Sequence, residues 1–334
     1  MENFQISRAD DVASAIRAGT LSNTAQQGAS VRFLAGGTTL IDLMKLDVER
    51  PLQLVDIGRL PLDRITRRED GGVDIGATVR NADLAHHAHI QSTYRVLSQA
   101  LLSGASAQLR NMATTGGNLL QRTRCVYFRD PAMACNKRAP GSGCDAIGGF
   151  NRNLAVLGTS NACIASNPSD MNVALTALEA RIHIHGAGGK RAIAIDDFFV
   201  LPGDTPDRET VLNSGDLITH VSLAAPVAGM RSTYLKLRDR ASYEFALASV
   251  AAIVAVDDRK MSHVRIALGG VGTKPWRACE AEAVLIGQTP NERLFRQAAE
   301  AALADARPQS ENGFKVELAK RCIVQALKDA TSTA

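Results

Sequence analysis

Short apolar runs separated by turn residues dominate the beginning of the chain. The runs Val31–Ala35 and Leu52–Ile57 predict buried strands, and Leu40–Lys45 between them predicts a short helix. An amphipathic period at Asp10–Ala18 predicts an earlier helix. Strand, helix and strand in this order form a compact βα crossover, and the turn Gly36–Thr39 lies where its helix begins.

A second unit combines periodic segments with two irregular stretches. Val73–Ile75 predicts a strand, and Asn81–Ala88 and Tyr94–Leu102 predict helices. Residues 103–124 are rich in Gly, Ser, Thr and Asn, and residues 125–153 are rich in Cys, Gly, Pro and Arg without a clean period. Because compact domains tolerate a long irregular loop mainly when it has a function, the second stretch is a candidate functional loop.

The rest of the chain alternates between strand and helix patterns. Asp170–Ala180 predicts a helix, Arg181–His185 a strand, and Gly186–Lys190 a hairpin turn. The remaining periodic segments are strands at Ile218–Leu223, Thr233–Leu237, Ala246–Val256 and His263–Leu268 and helices at Ala278–Ile286, Glu292–Leu303 and Lys315–Ala330. Taken in chain order, these four strands form one sheet backed by the three helices, which predicts an α+β unit beginning near Leu217.

Composition narrows the function classes. The chain has 334 residues, a formal net charge of +4, 45% hydrophobic residues and 4% aromatic residues. These values predict a folded protein and argue against a nucleic-acid binder. The longest apolar run, Phe245–Val256, is shorter than the roughly 20 residues of a membrane span. The segment Met1–Gln5 predicts no signal peptide, so we expect export to require a partner that carries the signal.

Two glycine pairs are candidate anion-binding turns. Gly36-Gly37 is followed by Thr38-Thr39, and Gly116-Gly117 is preceded by Thr114-Thr115 and followed by Asn118. Glycine allows the backbone to approach a ligand, and threonine hydroxyls add donors for a phosphate. Either turn alone is compatible with an ordinary tight turn. Together with Asn167–Asp170 at a helix start, they favour a long diphosphate dinucleotide.

Four of the six cysteines are close together in the sequence: Cys125, Cys135, Cys144 and Cys163. Their spacing matches neither the paired C-x2-C of zinc ribbons nor the bacterial ferredoxin run. An irregular loop with nearby arginines and lysines suits a [4Fe–4S] cluster, but zinc and unligated thiols are alternatives that spacing leaves open. Cys279 and Cys322 lie in predicted helices and are expected to be structural thiols.

An ordered set of motifs resembles one known family. The motifs are Ala35–Thr38, Ile75–Ala77, Arg110–Asn118, Ser169-Asp170, Lys236–Ala241 and Ala248–Ala251. They resemble the FAD-binding subunits of the molybdenum hydroxylases, the xanthine dehydrogenase family. The resemblance implies an α+β fold, with a two-subdomain FAD-binding domain of the vanillyl-alcohol-oxidase/PCMH type and a C-terminal α+β domain of molybdenum-hydroxylase flavoproteins. The implied boundaries are 1–60, 61–225 with a cysteine loop at 122–163, and 226–334.

The resemblance also implies roles for individual residues. The FAD-binding residues would be Arg32, Phe33, Leu34, Ala35, Gly36, Gly37, Thr38, Thr39 and Leu40 around the pyrophosphate, Thr114, Gly117 and Asn118 as a second cradle, Asp170 toward the ribityl or ribose, and Lys236 near the flavin. The cysteine insertion resembles that of the flavin subunits of bacterial periplasmic aldehyde oxidoreductases, which implies Cys125, Cys135, Cys144 and Cys163 as ligands of a [4Fe–4S] cluster. Gly104 stands where related chains have an aromatic ring near the flavin, so another side chain is expected to cover the ring.

The implied function is electron transfer within a heterotrimeric, molybdenum-dependent aldehyde oxidoreductase. A large molybdenum-cofactor subunit would oxidise the aldehyde, a small [2Fe–2S] subunit would carry electrons to FAD, and an external acceptor would remove them. No residue of this chain is expected to act as acid or base on the substrate. Co-export with a signal-bearing partner would place the complex in the periplasm, with the cytoplasm as the alternative. A stand-alone flavin oxidase of the vanillyl-alcohol type and a zinc-stabilised binding module are the alternative functions.

Overall fold

The computed structural model describes residues 1–332, which form three β-sheets with helices packed between and against them. The strands are β1 (Gln5–Arg8), β2 (Val31–Leu34), β3 (Gln53–Asp56), β4 (Ile65–Arg67), β5 (Val73–Gly76), β6 (Arg181–Gly186), β7 (Gly189–Ala194), β8 (Leu217–Leu223), β9 (Arg231–Leu237), β10 (Ala248–Asp257), β11 (Lys260–Gly269) and β12 (Trp276–Arg277). The helices are α1 (Val12–Gly19), α2 (Leu40–Lys45), α3 (Asn81–His86), α4 (Ala88–Thr93), α5 (Arg95–Ser103), α6 (Ala107–Met112), α7 (Thr115–Leu119), α8 (Val126–Arg129), α9 (Asp145–Gly148), α10 (Asp170–Ala177), α11 (Ile195–Phe198), α12 (Cys279–Leu285), α13 (Glu292–Ala302) and α14 (Phe314–Thr331).

The first sheet is parallel, with strand order β1-β3-β2. The predicted crossover from β2 through α2 to β3 is present, and its turn leaves the sheet at the carboxyl end of β2. Strand β1 has no apolar run to reveal it, and its pairing with β3 defines it as a strand. Helix α1 begins at a capping box in which the Asp11 carboxylate accepts from the Ser14 backbone N–H at 2.6 Å.

The second sheet has the order β4-β5-β8-β6-β7 and is antiparallel throughout. The hairpin predicted at Gly186–Lys190 is confirmed as the connection between β6 and β7. Grouping Ile218–Leu223 with the strands that follow was wrong, because β8 pairs with β5 and β6 in the centre of this sheet. Chain order does not determine which strands pair, and β8 completes a sheet that β4 began about 150 residues earlier.

The third sheet is antiparallel, with the order β12-β11-β10-β9. Strand β10 is apolar on both faces because each face packs against a different core. Ala251 and Ile253 belong to the core of the second sheet, whereas Val250, Ala252 and Val254 pack with helices α12 to α14. This double burial explains the uninterrupted apolar run that the sequence shows there.

The irregular stretches of the sequence contain only short helices. Residues 103–124 include α6 and α7, and residues 125–153 include the single turns α8 and α9. The predicted helix 81–88 is divided at His87, which has an extended backbone, into α3 and α4. None of the helices in residues 1–332 is both long enough and apolar enough to cross a membrane.

Candidate functional site

The turn after β2 forms one wall of a cavity of about 180 Å³. Residues Arg32–Leu40 all line this cavity, together with Thr114, Gly116 and Gly117 of the second turn. A Cβ atom on Gly36 would lie 1.9 Å from the carbonyl oxygen of Met112, so only glycine fits where the two turns meet. Gly37 has a φ of +72°, in the left-handed region that glycine favours. The structure therefore brings the two predicted anion-binding turns together on one cavity.

The second turn is held by backbone and side-chain hydrogen bonds. Thr114 precedes α7, and its hydroxyl oxygen accepts from the Gly117 backbone N–H at 3.3 Å. The Ser169 hydroxyl donates to Asn118 Oδ1 at 2.7 Å and also accepts from the Asn172 N–H at the start of α10. These bonds connect α7 to α10, so the motifs at Thr114–Asn118 and Ser169-Asp170 act as one structural unit.

A second cavity, of about 500 Å³, continues from the first. Thr38 and Thr39 line both cavities, and Asn118, Asp170 and Lys236 line the second. Two aromatic side chains from the loop after β9, Tyr243 and Phe245, also line it. The two adjoining cavities offer an elongated site that suits a dinucleotide, and the second contains two aromatic rings from this loop where Gly104 provides none. The described residues thus fit FAD: glycine turns at one end and a wider compartment at the other.

Asp170 and Lys236 form a buried ion pair at the edge of the second cavity. Lys236 Nζ donates to Asp170 Oδ2 at 2.8 Å and to the Ser103 carbonyl oxygen at 3.1 Å. Tyr234 donates its hydroxyl to Asp170 Oδ1 at 2.6 Å, so both carboxylate oxygens are engaged. Burial, followed by the Asp170 charge, raises the pKa of Tyr234 well above its usual value and keeps the phenol protonated.

Tyr234 is a site residue that the sequence argument missed. It lies two residues before Lys236 on β9, and alternate residues of a strand point to the same face. The alternation on β9 was therefore an available signal, but no sequence feature indicates that Asp170 lies opposite this strand.

The four clustered cysteines line one small cavity between α8, α9 and the segment before Ser166. Cys135 and Cys144 face each other across an antiparallel bridge, and the loop between them is held by Asn136, whose Oδ1 accepts from the Gly141 and Gly143 N–H groups. Cys125, Cys135 and Cys163 are buried and Cys144 is half-buried. The cavity measures about 10 Å³, roughly the room of one water molecule, so the side chains must spread to hold an inorganic cluster.

The arrangement of these thiols bears on the kind of metal group they fit. Burial raises the pKa of Cys125 to about 12 and also raises the pKa values of Cys144 and Cys163, so these three thiols stay protonated unless a metal group stabilises their thiolates. Within residues 1–332, no three metal-binding side chains are placed around one ion position. Four thiols are a donor set that both a [4Fe–4S] cluster and a zinc site use, and iron and zinc analysis of the purified protein distinguishes the two.

The basic residues expected around the cysteines have structural partners. Arg138 donates to the carbonyl oxygens of Tyr127 and Phe128, and Arg124 and Arg129 both pair with Asp42 on α2 at 3.3 and 2.7 Å. The two ion pairs with Asp42 fasten the cysteine segment, residues 122–163, to the helix that follows the first glycine turn.

A buried series of alternating charges, here called the ion chain, comprises Arg32, Glu49, Arg122, Glu209 and Lys137. Arg32 Nη2 and Arg122 Nη1 pair with Glu49 at 2.9 and 2.5 Å. Glu209 pairs with Arg122 Nε at 2.5 Å and with Lys137 Nζ at 3.1 Å. The Glu49, Lys137 and Arg122 side chains are 2%, 9% and 11% exposed, whereas those of Arg32 and Glu209 are 19% and 28% exposed. Each charge in the series therefore depends on its neighbours for compensation.

We expect Glu209→Gln to lower the free energy of unfolding near neutral pH and to have a smaller effect in acid. Burial alone would raise the pKa of Glu209, but the charges of Arg122 and Lys137 lower it to about 2. A carboxyl with a lowered pKa stabilises the fold above its unfolded pKa and loses this contribution as pH falls from about 4.5 to about 2, here about 3 kcal/mol. In urea unfolding, the gap between the variant and the natural chain should be widest near neutral pH and shrink below pH 4.5. A gap that is constant with pH would contradict the assignment.

Comparisons with known proteins agree with this geometry. Residues 2–226 match the family described as "FAD binding domain in molybdopterin dehydrogenase", and residues 232–330 match the "CO dehydrogenase flavoprotein C-terminal domain". The aldehyde oxidoreductase FAD-binding subunit PaoB of Escherichia coli is 50% identical over 314 residues, covering 93% of this chain and 95% of that protein. The glyceraldehyde dehydrogenase medium chain of Sulfolobus acidocaldarius is 29% identical and covers 90% of each chain.

A solved structure supports the same assignment. The chain superposes on a carbon monoxide dehydrogenase chain from Hydrogenophaga pseudoflava with a TM-score of 0.76 at 25% identity, covering 98% of this chain and 97% of that one. The matches to both family domains together span nearly the whole sequence. The chain belongs to the FAD-binding subunits of the molybdenum hydroxylases and is an oxidoreductase subunit of that family.

Proposed function

We propose that this chain is the FAD- and [4Fe–4S]-carrying electron-transfer subunit of a molybdenum-dependent aldehyde oxidoreductase. In this function a large partner subunit oxidises the aldehyde at a molybdenum centre, and a small [2Fe–2S] partner delivers the electrons to this chain. An external acceptor then removes them. The observation that carries the proposal is the gathering of four cysteines in one cavity beside an elongated dinucleotide site.

The aldehyde substrate is supported by similarity. The Escherichia coli relative at 50% identity is named an aldehyde oxidoreductase subunit, and the Sulfolobus acidocaldarius relative is named a glyceraldehyde dehydrogenase chain. Both matches cover 90% or more of this chain. The same similarity supports assembly with large and small partner subunits as a heterotrimer.

The residues of this chain would bind and orient the flavin. Bound FAD supplies the exchange between two-electron and one-electron transfer. The backbone N–H groups of the Gly36-Gly37 turn and the hydroxyls of Thr38 and Thr114 would hold the pyrophosphate. The Asp170–Lys236 ion pair lies at the edge of the wider cavity, where the Lys236 ammonium would retain one N–H to donate to a bound ring. No side chain of this subunit is assigned an acid or base role toward the aldehyde.

The cysteine segment would hold the cluster through Cys125, Cys135, Cys144 and Cys163. Arg124 links this site to the flavin cavity, because it immediately precedes Cys125 and also lines the 500 Å³ cavity. Arg124 packs on the Phe245 ring at 4.9 Å from the ring centroid. This short connection supports electron exchange between the two cofactors.

Domain division and compartment complete the proposal. We place the subdomain boundaries at 1–60, 61–225 and 226–334, which keeps each of the three sheets within one unit.

We also propose a periplasmic location through co-export with a signal-bearing partner, and fractionation of cells followed by detection of this chain tests it. Recovery of the chain exclusively in the cytoplasmic fraction would contradict that location.

The function is tested by the cofactor content of the chain purified with its partners. We expect one FAD by extraction and, by elemental analysis, iron in excess of what the [2Fe–2S] partner contains. FAD without this excess iron would support the assignment as a flavin subunit and reject the [4Fe–4S] cluster. Zinc without flavin would reject the proposal as a whole.

A further inference from the structure

The ion chain joins two sites that are separate in the sequence. Arg32, Glu49 and Arg122 line the 180 Å³ cavity at the glycine turns. At the other end, Lys137 lies between Cys135 and Cys144 and lines the cysteine cavity. Glu209 connects the two ends, since its two oxygens pair with Arg122 and with Lys137.

Glu209 is itself fixed relative to the first subdomain. Its backbone N–H donates to Gln26 Oε1 at 3.1 Å, and Gln26 Nε2 donates to the Leu212 carbonyl oxygen at 2.8 Å. Lys137 Nζ also donates to the Pro206 carbonyl oxygen at 2.8 Å, in the same segment as Glu209. Lys137 thus attaches the cysteine segment to residues 206–212. The same residues are attached to the wall of the dinucleotide cavity through the Glu209–Arg122 pair.

The guanidinium group of Arg122 also contacts residues on both sides, toward the cysteines and toward the dinucleotide cavity. Its guanidinium carbon lies 4.6 Å from the centroid of the Phe128 ring, which is fully buried among the cysteines. The same guanidinium donates to Glu49 and Gln27 on the cavity side. A shift of the cysteine segment that moves Phe128 therefore moves a side chain that shapes the dinucleotide cavity.

We propose that FAD binding and closure of the cysteine segment stabilise each other through the ion chain, with Glu209 and Lys137 as positioning residues. The inference rests on FAD as the ligand in the proposed function and is independent of the metal group that the cysteines hold. Because Glu49, Arg122 and Lys137 are largely removed from water, opening one end leaves these charges less well compensated. Coupling of this kind is reciprocal: FAD should close the segment by the same factor by which the closed segment tightens FAD.

Lys137→Gln gives the sharpest test, because Lys137 is absent from the linings of both dinucleotide cavities formed by residues 1–332. The full chain carries Cys279→Ser as a background substitution, which removes the exposed thiol. Flavin and iron are removed from this chain before the measurements. Two quantities are measured: the Kd for FAD and the alkylation rate of the clustered thiols with and without FAD. FAD should slow alkylation of the background chain by about 5-fold or more. Lys137→Gln should weaken FAD binding and reduce this protection by similar factors.

Matched variants separate the coupling from a general loss of stability. Lys328→Gln breaks an exposed ion pair between Lys328 on α14 and Glu292 on α13 and should leave both quantities unchanged. Lys137→Arg keeps the charge and should restore most of the coupling. If Lys137→Gln fails to fold, Glu209→Gln is measured in its place.

Two results would overturn the inference. One is an FAD affinity unchanged in a folded Lys137→Gln chain, and the other is alkylation of the background chain at the same rate with and without FAD. Either result would leave the FAD and iron contents of the natural complex untouched, so the proposed function would still stand. Failure of the background chain to bind FAD at all would instead reject the proposed function.

Discussion

Replacement of Gly36 by alanine is expected to weaken FAD binding by about 100-fold. The added Cβ would lie 1.9 Å from the Met112 carbonyl oxygen and 2.8 Å from its carbonyl carbon, so the two glycine turns must move apart. Backbone atoms cannot rotate away as a flexible side chain can. Overpacking typically costs about 1–3 kcal/mol, and each lost contact between an N–H group and the pyrophosphate costs about 0.3–1 kcal/mol. A total of about 3 kcal/mol corresponds to about 100-fold in Kd.

The measurement is the Kd for FAD of the reconstituted chain, followed by flavin fluorescence. Gly188→Ala is the matched control, because a Cβ at this hairpin position meets no atom within 4 Å. Circular dichroism spectra of both variants show whether the fold persists. A Gly36→Ala chain that purifies with a full complement of FAD would show that the two turns do not form the pyrophosphate site.

Replacement of Cys163 by serine is expected to remove about four iron atoms per chain from the purified complex. Cys163 lies 19 residues beyond Cys144 in the sequence, yet its side chain lines the same cavity as the other three cysteines. A cluster deprived of one thiolate loses a ligand in a site where burial opposes charge on the remaining thiols. We expect the FAD content of this variant to fall by a smaller factor than the iron content.

Two other cysteines provide the controls for this experiment. Cys279→Ser changes an exposed thiol, and Cys322→Ser changes a buried one that packs with the helices of the third sheet. Both variants should keep their iron. Iron retained in Cys163→Ser would reject Cys163 as a ligand, and iron lost in all three variants would indicate a general loss of stability.

The local features of the sequence were sufficient for most of the regular elements. The runs at Val31–Ala35 and Leu52–Ile57 correspond to strands β2 and β3, and the helical period near Glu292–Leu303 corresponds to α13. Burial on one face imposes a period on the sequence, so these elements could be predicted. Strand β1 could not be predicted in this way, because its side chains are mostly exposed and carry no such period.

The candidate site was likewise only partly predictable from the sequence. Gly36, Gly37 and Thr114 were predicted as ligand-binding residues because two such turns occur together and in the motif order of the flavin subunits that the chain resembles, and the structure places them on one cavity. Tyr234 and Glu209 were not predicted. Their roles depend on contacts with Asp170 and Lys137 across 64 and 72 residues, and no local pattern encodes such contacts.

By itself, the sequence determined the residue chemistry of this protein: two glycine turns suited to phosphate, four clustered thiols and a motif order that resembles the molybdenum hydroxylase flavin subunits. Only the tertiary structure decided that β8 completes the second sheet, that Cys163 joins the cysteine cavity and that the ion chain links this cavity to the dinucleotide site. The physical reason is the separation along the sequence of the residues that interact. Turn geometry and burial period depend on neighbouring residues, whereas strand pairing, cavities and buried ion pairs form between segments that meet only when the whole chain is folded.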